Sequence, residues 1–158
     1  QIKAMVSLTH GEGFGLPLFE AAYSALPIIA PGWSGQCDFL YAPPQGSKKK
    51  KGGNKKHPYF AEVEYSIAHV HPSAVWEGVI EKDSQWCYPE EGSYKMKLRQ
   101  VRKQISKWQK KAVVLPSWIL KNFEEQSIMK SFVDNMPQTT PDADIDDMFD
   151  KLLSSSGE

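Results

Sequence analysis

The first 40 positions alternate between short apolar runs and segments rich in glycine and proline. Residues 4–9 are mostly apolar and uncharged, which predicts a buried strand of a parallel sheet. From Pro17 to about Ala25 the apolar residues fall at helical spacing, and proline suits a first helical turn because an N–H there needs no partner. Residues 27–30 predict a second short buried strand. The order strand, glycine-rich loop, helix and strand predicts one βαβ unit.

The next segments change character more often. Residues 37–41 suit a single helical turn, and residues 43–58 predict a solvated, lysine-rich loop. Residues 61–70 alternate between apolar and polar side chains and predict a strand. Residues 74–80 are a further candidate strand, followed by a turn-rich segment up to Gly92.

Two helices are predicted in the second half of the chain. The first spans roughly residues 93–111, where apolar side chains recur at helical spacing and the other face is basic. Pro116 interrupts the pattern, and Ser117 can cap a second helix that continues to about Val133. The apolar stripe of the first helix consists of Tyr94, Leu98, Val101, Ile105 and Trp108.

Composition fits one globular domain with an appended tail. The chain has 158 residues, 41% of them hydrophobic, with 19 basic and 19 acidic residues, a balance that argues against a dedicated nucleic-acid binder. We predict a domain over residues 1–136 and an acidic tail with a short helix over residues 137–158. Because the sequence starts with Gln1 instead of methionine and runs almost directly into the first predicted strand, we expect the natural chain to extend upstream.

The two cysteines, Cys37 and Cys87, make neither a disulfide framework nor a zinc pattern, which favours a reducing compartment. No apolar run reaches membrane-spanning length, and the residues after Gln1 do not show the charged segment and apolar run typical of a signal peptide. These features predict a cytoplasmic protein. The basic helix face and the lysines of residues 43–58 leave open a peripheral contact with an anionic membrane, an anionic acceptor or nucleic acid; simple solvation is the alternative.

The segment from Glu12 to Glu20 carries the strongest chemical signal. Two carboxylates lie eight positions apart on either side of a glycine-rich loop that opens a helix. Unsatisfied N–H groups at a helix N-terminus attract phosphate, and glycines let a ligand approach the backbone. A carboxylate accepts hydrogen bonds from two hydroxyls of a sugar. The pattern therefore favours a ligand that contains both phosphate and diols.

This segment resembles the E-x7-E region of retaining GT-B glycosyltransferases of the large group 1 class. The likeness extends over Glu12-Gly-Phe-Gly-Leu-Pro-x-x-Glu20-Ala21 and the following Pro27-Ile28-Ile29-Ala30 and Gly32-x-Ser-Gly35. It implies that Glu12, the residue expected to act in catalysis, contacts the donor sugar and that Glu20 holds the nucleotide ribose. It also implies that Phe14, Gly15 and Leu16 contact the sugar and the phosphates, and Gly13 is expected to bind the donor with them. His10 is a candidate for contact with the donor sugar; orienting Glu12, or a local hydrogen bond within the loop, is the alternative.

The resemblance also implies an architecture and a reaction. We expect an α/β fold: the Rossmann-like C-terminal half-domain of a GT-B enzyme, with parallel strands and flanking helices. The full enzyme would transfer a hexose, with retention of configuration, from a nucleoside-diphosphate sugar to a saccharide, lipid or protein acceptor. No cofactor or metal ion is expected, because amides and basic side chains stabilise the leaving diphosphate.

The chain departs from the family in three ways. Gln36 and Asp38 stand where the family usually has a glutamate after the Gly-Gly turn. The basic Arg/Lys pair that neutralises the diphosphate belongs upstream of Gln1, as does the acceptor-binding N-terminal domain. This chain alone is therefore expected to bind donor and to be inactive.

Other functions remain open at this point. The same fold could serve as a non-catalytic nucleotide-sugar-binding or assembly module, and the lysine-rich parts could instead build a membrane- or nucleic-acid-binding surface. A dinucleotide-binding fingerprint starting at Gly11 is disfavoured, because Leu16 stands where its third glycine belongs. His69 and His71 lack further metal ligands nearby, and the acidic run from Asp142 lacks the glycine and glutamate of a calcium loop. Trp33, beside the motif, is a candidate for stacking on a sugar.

Overall fold

A computed structural model describes residues 2–44 and 56–136. The chain divides into two compact units, Gln1–Asn122 and Phe123–Glu158. The first unit is a mixed α/β structure with a small parallel sheet and flanking helices. The α/β class predicted from the sequence is therefore confirmed. The predicted acidic tail over residues 137–158 lies outside the described residues.

The elements of the first unit follow one another closely along the chain. The strands are β1 (Met5–Val6), β2 (Ile28–Pro31), β3 (Tyr41–Ala42), β4 (His57–Pro58), β5 (Ala61–Val63), β6 (Tyr65–His69) and β7 (Gln85–Pro89). The helices are α1 (Leu16–Tyr23), α2 (Cys37–Leu40), α3 (Glu91–Lys103), α4 (Ile105–Ala112) and α5 (Val114–Asn122).

The parallel sheet has the order β1-β2-β5. Met5 pairs with Ile28 in the register of β1 on β2, and Ile29 pairs with Ala61 in the register of β2 on β5. All four residues of β2 are buried, as expected of a central strand covered on both faces. The predicted βαβ unit is present as β1, α1 and β2.

The core on one face of the sheet is built by α3 and α4. Its fully buried members are Ile29, Ala61, Val63 and Val101. The partly buried side chains that pack against them are Ala4, Leu8, Tyr94, Ile105 and Trp108. Four of the five residues of the predicted helical stripe thus belong to this core, whereas Leu98 is partly exposed.

The strand predicted over residues 61–70 is two strands in different sheets. β5 continues the parallel sheet, whereas β6 pairs with β7 in an antiparallel hairpin. The division falls at Glu64, whose N–H donates to the Ser93 hydroxyl and whose carbonyl accepts from the Glu90 N–H. Both backbone groups of Glu64 are therefore bound to the start of α3.

Two predictions for the tip and second strand of this hairpin were wrong. Residues 74–80 are not a strand: Pro72–Ala74 is a short 3-10 helix, and Trp76 pairs with Ile80 across a turn in which Gly78 has a φ of 76°. The segment predicted as turns contains β7, whose partner β6 lies far back in sequence. A window of neighbouring residues does not reveal such a partner.

The predicted helix boundaries also needed correction. The helix expected over residues 93–111 is α3 followed by α4, with Gln104 outside the helical region at a φ of −122°. Pro116 does not interrupt a helix but occupies the first turn of α5, where no N–H is required. Ser117 consequently lies inside α5 instead of capping a helix.

In the lysine-rich loop predicted over residues 43–58, residues 45–55 lie outside the described part of the chain. At its far end, residues 57–58 form the short strand β4, which pairs antiparallel with β3, so this part of the loop prediction was wrong. Lys56 lies over the ring of Trp118, with its Nζ 5.3 Å from the centroid. That contact stabilises the cation by attraction to the aromatic face.

The described part of the second unit is the helix α6 (Glu125–Asp134) with its flanking residues. None of its residues is buried. Because α5 ends at Asn122 and α6 begins at Glu125, the prediction of a single helix from Ser117 to about Val133 was wrong. Across the described residues, no helix combines the length and the apolar character needed to cross a bilayer.

Candidate functional site

The glycine-rich loop after β1 is held by the turn that follows β2. The Ser34 hydroxyl accepts from the Glu12 N–H at 3.1 Å and donates to the Glu12 carbonyl at 2.5 Å. The same carbonyl accepts from the Gly35 N–H at 3.1 Å. Ser34 adopts a φ of 67°, a conformation that non-glycine residues rarely hold. These contacts fix the backbone of Glu12 at the carboxyl ends of β1 and β2.

Two glycines make this junction possible. A Cβ at Gly35 would overlap the Gly13 carbonyl oxygen and would lie 2.7 Å from the Gly13 carbonyl carbon and 2.8 Å from the Phe14 Cα. Gly15 has a φ of 84° and is the residue from which α1 starts. No side chain caps α1, so the N–H groups of its first turn lack side-chain acceptors.

A cleft of about 620 Å³ opens above this loop. Its lining comes from the loop after β1, from the turn after β2 and from β7. The lining residues are Thr9, His10, Gly11, Glu12, Gly13, Ser34 and Trp86. The Glu12 carboxylate has no hydrogen-bond or ion-pair partner within the described part of the chain. The cleft therefore offers one carboxylate and exposed loop backbone to a ligand.

His10 is fixed in this cleft by β7. Its Nδ1 lies 2.7 Å from the Cys87 carbonyl oxygen, and the Cys87 N–H donates to the His10 carbonyl at 3.2 Å. The imidazole stacks on Trp86 with centroids 4.7 Å apart and an interplanar angle of 12°. Tyr88 contacts the imidazole at 4.8 Å between centroids.

The structure brings some of the predicted site residues together and separates others. His10, Glu12 and Gly13 line the cleft. Phe14 instead packs its ring against other aromatic side chains, at 5.1 Å from Phe19 and 5.2 Å from Phe39.

The predicted residues on and next to α1 lie beside the cleft lining. Gly15 is buried at the start of α1, and Leu16 is exposed in its first turn. Glu20, the fifth residue of α1, is exposed and does not line the cleft. A ligand that contacts both carboxylates must therefore extend from the cleft over the start of α1.

Sequence reasoning missed four lining residues: Thr9 and Gly11, which lie beside the predicted ones, and Ser34 and Trp86, which lie farther along the chain. Ser34 lies in a motif of the resemblance and could have been selected on that ground. Trp86 carried no local signal, because its place beside His10 depends on the pairing of β6 with β7. The selected tryptophan, Trp33, instead packs 5.9 Å from the Tyr65 ring.

Gln36 and Asp38, which stand at the family's glutamate position, lie in different environments. Gln36 is fully buried, and its amide donates to the Pro31 carbonyl at 3.2 Å, which secures the carboxyl end of β2. Asp38 is exposed in the first turn of α2. The buried residue here is thus a neutral amide, and the charged residue faces solvent.

A phenol–carboxylate pair lies close to the same turn. The Tyr41 hydroxyl donates to Glu62 at 2.6 Å, and both side chains would obstruct a Cβ at Gly32. Burial, the hydrogen bond to Glu62 and the charge of Glu62 raise the pKa of Tyr41 well above its ordinary value. Tyr41 consequently remains a neutral donor throughout the physiological pH range.

A second cavity, of about 510 Å³, lies away from the glycine loop between β1, α3 and α4. Its lining is mostly apolar, with Lys3 and Arg102 as its charged residues. Because it offers few polar groups for orienting a sugar, it is a poorer candidate for a nucleotide-sugar site than the cleft beside Glu12.

Among the described residues, no group of three or more His, Cys, Asp or Glu side chains is arranged to hold a metal ion. His71 accepts from the Ser73 N–H through Nδ1 and also hydrogen-bonds the Ser73 hydroxyl. That the chemistry needs no metal stays a prediction.

Comparison with protein-family models, curated proteins and solved structures finds no match to this chain. The candidate site is therefore interpreted from its own geometry and from the motif in the sequence.

Proposed function

We propose that this chain is the donor-binding, Rossmann-like part of a retaining GT-B glycosyltransferase and that the cleft beside Glu12 binds a nucleoside-diphosphate sugar. The main support for this proposal is the cleft at the carboxyl ends of β1 and β2, where Ser34 and Gly35 hold the Glu12 backbone. Open parallel sheets bind ligands at this edge because loops from successive strands meet there.

Each part of the ligand has a counterpart at this edge. The hexose lies in the cleft, where the Glu12 carboxylate accepts hydrogen bonds from its hydroxyls. The diphosphate lies over the first turn of α1, whose N–H groups carry partial positive charge and lack side-chain caps. The ribose reaches Glu20 farther along α1. This arrangement explains why the two carboxylates need not line the same cavity.

The reaction that fits this arrangement is transfer of the hexose with retention of configuration. Glu12 positions the sugar, and the helix N-terminus stabilises the charge that develops on the leaving diphosphate. The described lining of the cleft contains no Lys or Arg that could neutralise the rest of the charge on the leaving diphosphate.

Calorimetric titration with UDP-, GDP- and ADP-sugars, and with the corresponding nucleoside diphosphates, tests the proposal. We expect Glu12→Gln to weaken binding of the nucleotide sugar about tenfold while leaving the diphosphate unaffected, because the lost hydrogen bonds involve only the sugar. Glu20→Gln should weaken both ligands. Glu77→Gln, which changes an exposed carboxylate on the hairpin, is the matched control and should bind as the parent does.

Parent-like binding of every nucleotide sugar by both Glu12→Gln and Glu20→Gln would show that the roles are wrongly assigned. Binding to the parent without turnover in the complete polypeptide, when acceptors are supplied, would instead favour a non-catalytic binding module.

A further inference from the structure

Part of the lining of the cleft is supplied by β7, a strand of the β6–β7 hairpin. Trp86 lines the cleft together with His10 and Glu12. The Trp86 indole and the His10 imidazole are nearly parallel, 4.7 Å apart between centroids. The hairpin thus contacts the candidate sugar subsite directly, although it follows the motif by many residues.

The contact with Cys87 determines which imidazole nitrogen carries the proton. A carbonyl oxygen can only accept a hydrogen bond, so the 2.7 Å contact requires a proton on His10 Nδ1. In the neutral imidazole, Nε2 is then an acceptor. Within the described residues, Nε2 has no hydrogen-bond partner. The residues that line the cleft therefore supply two acceptors, His10 Nε2 and the Glu12 carboxylate, from positions two apart in the sequence.

We propose that β7 fixes His10 as a hydrogen-bond acceptor for a hydroxyl of the donor sugar and that Trp86 is a positioning residue for this contact. The inference rests on the proposed function and adds the sugar chemistry: two acceptors that line one cleft suit a hexose with at least two free hydroxyls. Trp86 restricts the imidazole plane by stacking, and the Cys87 carbonyl fixes the tautomer. Preorganised acceptors bind a hydroxyl pair more tightly because little freedom is lost on binding.

Two substitutions separate the roles of the imidazole nitrogens. An asparagine amide can replace Nδ1 as the donor to Cys87 but places no acceptor where Nε2 lies, whereas glutamine extends to the Nε2 position. We expect His10→Asn to fold and to bind the nucleoside diphosphate normally, but to bind the nucleotide hexose about tenfold more weakly. His10→Gln should recover part of that loss. A deoxy-hexose donor should bind the parent and His10→Asn with similar affinity if it lacks the hydroxyl that meets Nε2.

Trp86 is tested against a tryptophan on the same hairpin. Trp86→Phe retains a stacking ring and should stay within about threefold of the parent in affinity for the nucleotide hexose, whereas Trp86→Ala should lose about tenfold. Neither change should alter affinity for the diphosphate, which distinguishes positioning from general damage to the fold. Trp76→Ala removes an exposed indole outside the cleft and should bind as the parent does.

Nitrogen-15 NMR of the histidine side chains provides a readout that does not depend on binding. The free protein should show His10 protonated at Nδ1. Protonation at Nε2 in the neutral ring, or parent-like affinity of both Trp86→Ala and His10→Asn for the nucleotide hexose, would overturn this inference alone. Failure of the parent to bind any nucleotide sugar would overturn the proposed function, and this inference with it.

Discussion

At the scale of single residues, glycine is required at different positions of this site for different physical reasons. In the sequence, Gly11, Gly13 and Gly15 stand at every second position, a pattern that indicates close approach of a ligand to the backbone. In the structure, Gly35 is the residue that admits the chain's own backbone, because Gly13 and Phe14 pass directly against its Cα. Gly15 is required for its left-handed conformation. A Cβ added at Gly13 would meet no heavy atom within 4 Å apart from its chain neighbours, so a ligand can approach the backbone there.

Gly35→Ala should therefore destabilise the fold, whereas Gly13→Ala should not. A methyl group at Gly35 forces the Glu12–Phe14 backbone away from its partners, and we expect a loss of about 1–3 kcal/mol in the free energy of unfolding. The change at Gly13 should stay within about 0.5 kcal/mol. Urea-induced unfolding measures both. Equal stability of the two variants would contradict the assigned role of Gly35.

Part of the candidate site could be predicted from local sequence, and the missing part depends on tertiary pairing. His10, Glu12 and Gly13 belong to one contiguous loop, so a motif of neighbouring residues identified them. Cys87, which fixes the His10 ring, lies 77 positions away. No periodicity or spacing in the sequence links two such distant positions. The role of Trp86, which is next to Cys87 on β7, was missed for the same reason.

At the scale of elements, local signals succeeded where the partners are near in sequence. The unit of β1, α1 and β2 was predicted because its strands are short uncharged runs and because glycine and proline mark its boundaries. The division of residues 61–70 was not predicted, since β5 and β6 form one continuous alternating pattern. The break between β5 and β6 falls at Glu64, where the backbone is hydrogen-bonded to the start of α3.

Ser93 provides the side-chain contact at this break. It is 5% exposed, and its hydroxyl accepts from the Glu64 N–H at 2.9 Å. Ser93→Ala would leave a partly buried N–H without its partner, so we expect the free energy of unfolding to fall by about 1–2 kcal/mol. Ser106→Ala, at an exposed position of α4, controls for the higher helix propensity of alanine.

Thermal unfolding of both serine variants, monitored by circular dichroism, gives the comparison. We expect Ser106→Ala to unfold at the parent's temperature or slightly above it, and Ser93→Ala several degrees lower. If Ser93→Ala is as stable as Ser106→Ala, the Glu64–Ser93 contact does not hold the junction of β5, β6 and α3.

At the scale of the Gln1–Asn122 unit, the ligand cleft and the apolar cavity are separate and have different lining residues. The ligand cleft uses the carboxyl ends of β1 and β2, whereas the apolar cavity of about 510 Å³ opens between β1 and the α3–α4 face. β1 is the end strand of its sheet, and among the described strands only β2 pairs with it. The Met5 N–H donates to the Pro27 carbonyl, directly before β2, and the Ser7 N–H donates to the Ile29 carbonyl in β2. Within the described residues, no strand pairs with the other edge of β1.

An apolar cavity next to a free strand edge promotes association between chains, because added strands and buried apolar surface stabilise each other. Val6 and Leu98, which line the cavity, are 41% and 45% exposed. We therefore expect this chain to self-associate as its concentration rises and Val6→Lys to suppress the association, since a charged side chain on an edge strand opposes pairing.

Sedimentation velocity over a range of concentrations tests this expectation, with Val113→Lys as the matched control at an exposed position outside the cavity. The control should associate as the parent does, and nucleotide-sugar binding by Val6→Lys should be unchanged because the two cavities share no lining residue. A parent that stays monomeric at all concentrations, or equal suppression by both lysines, would mean that the edge of β1 and its apolar cavity do not drive association. Suppression by Val6→Lys alone would locate the contact at that edge.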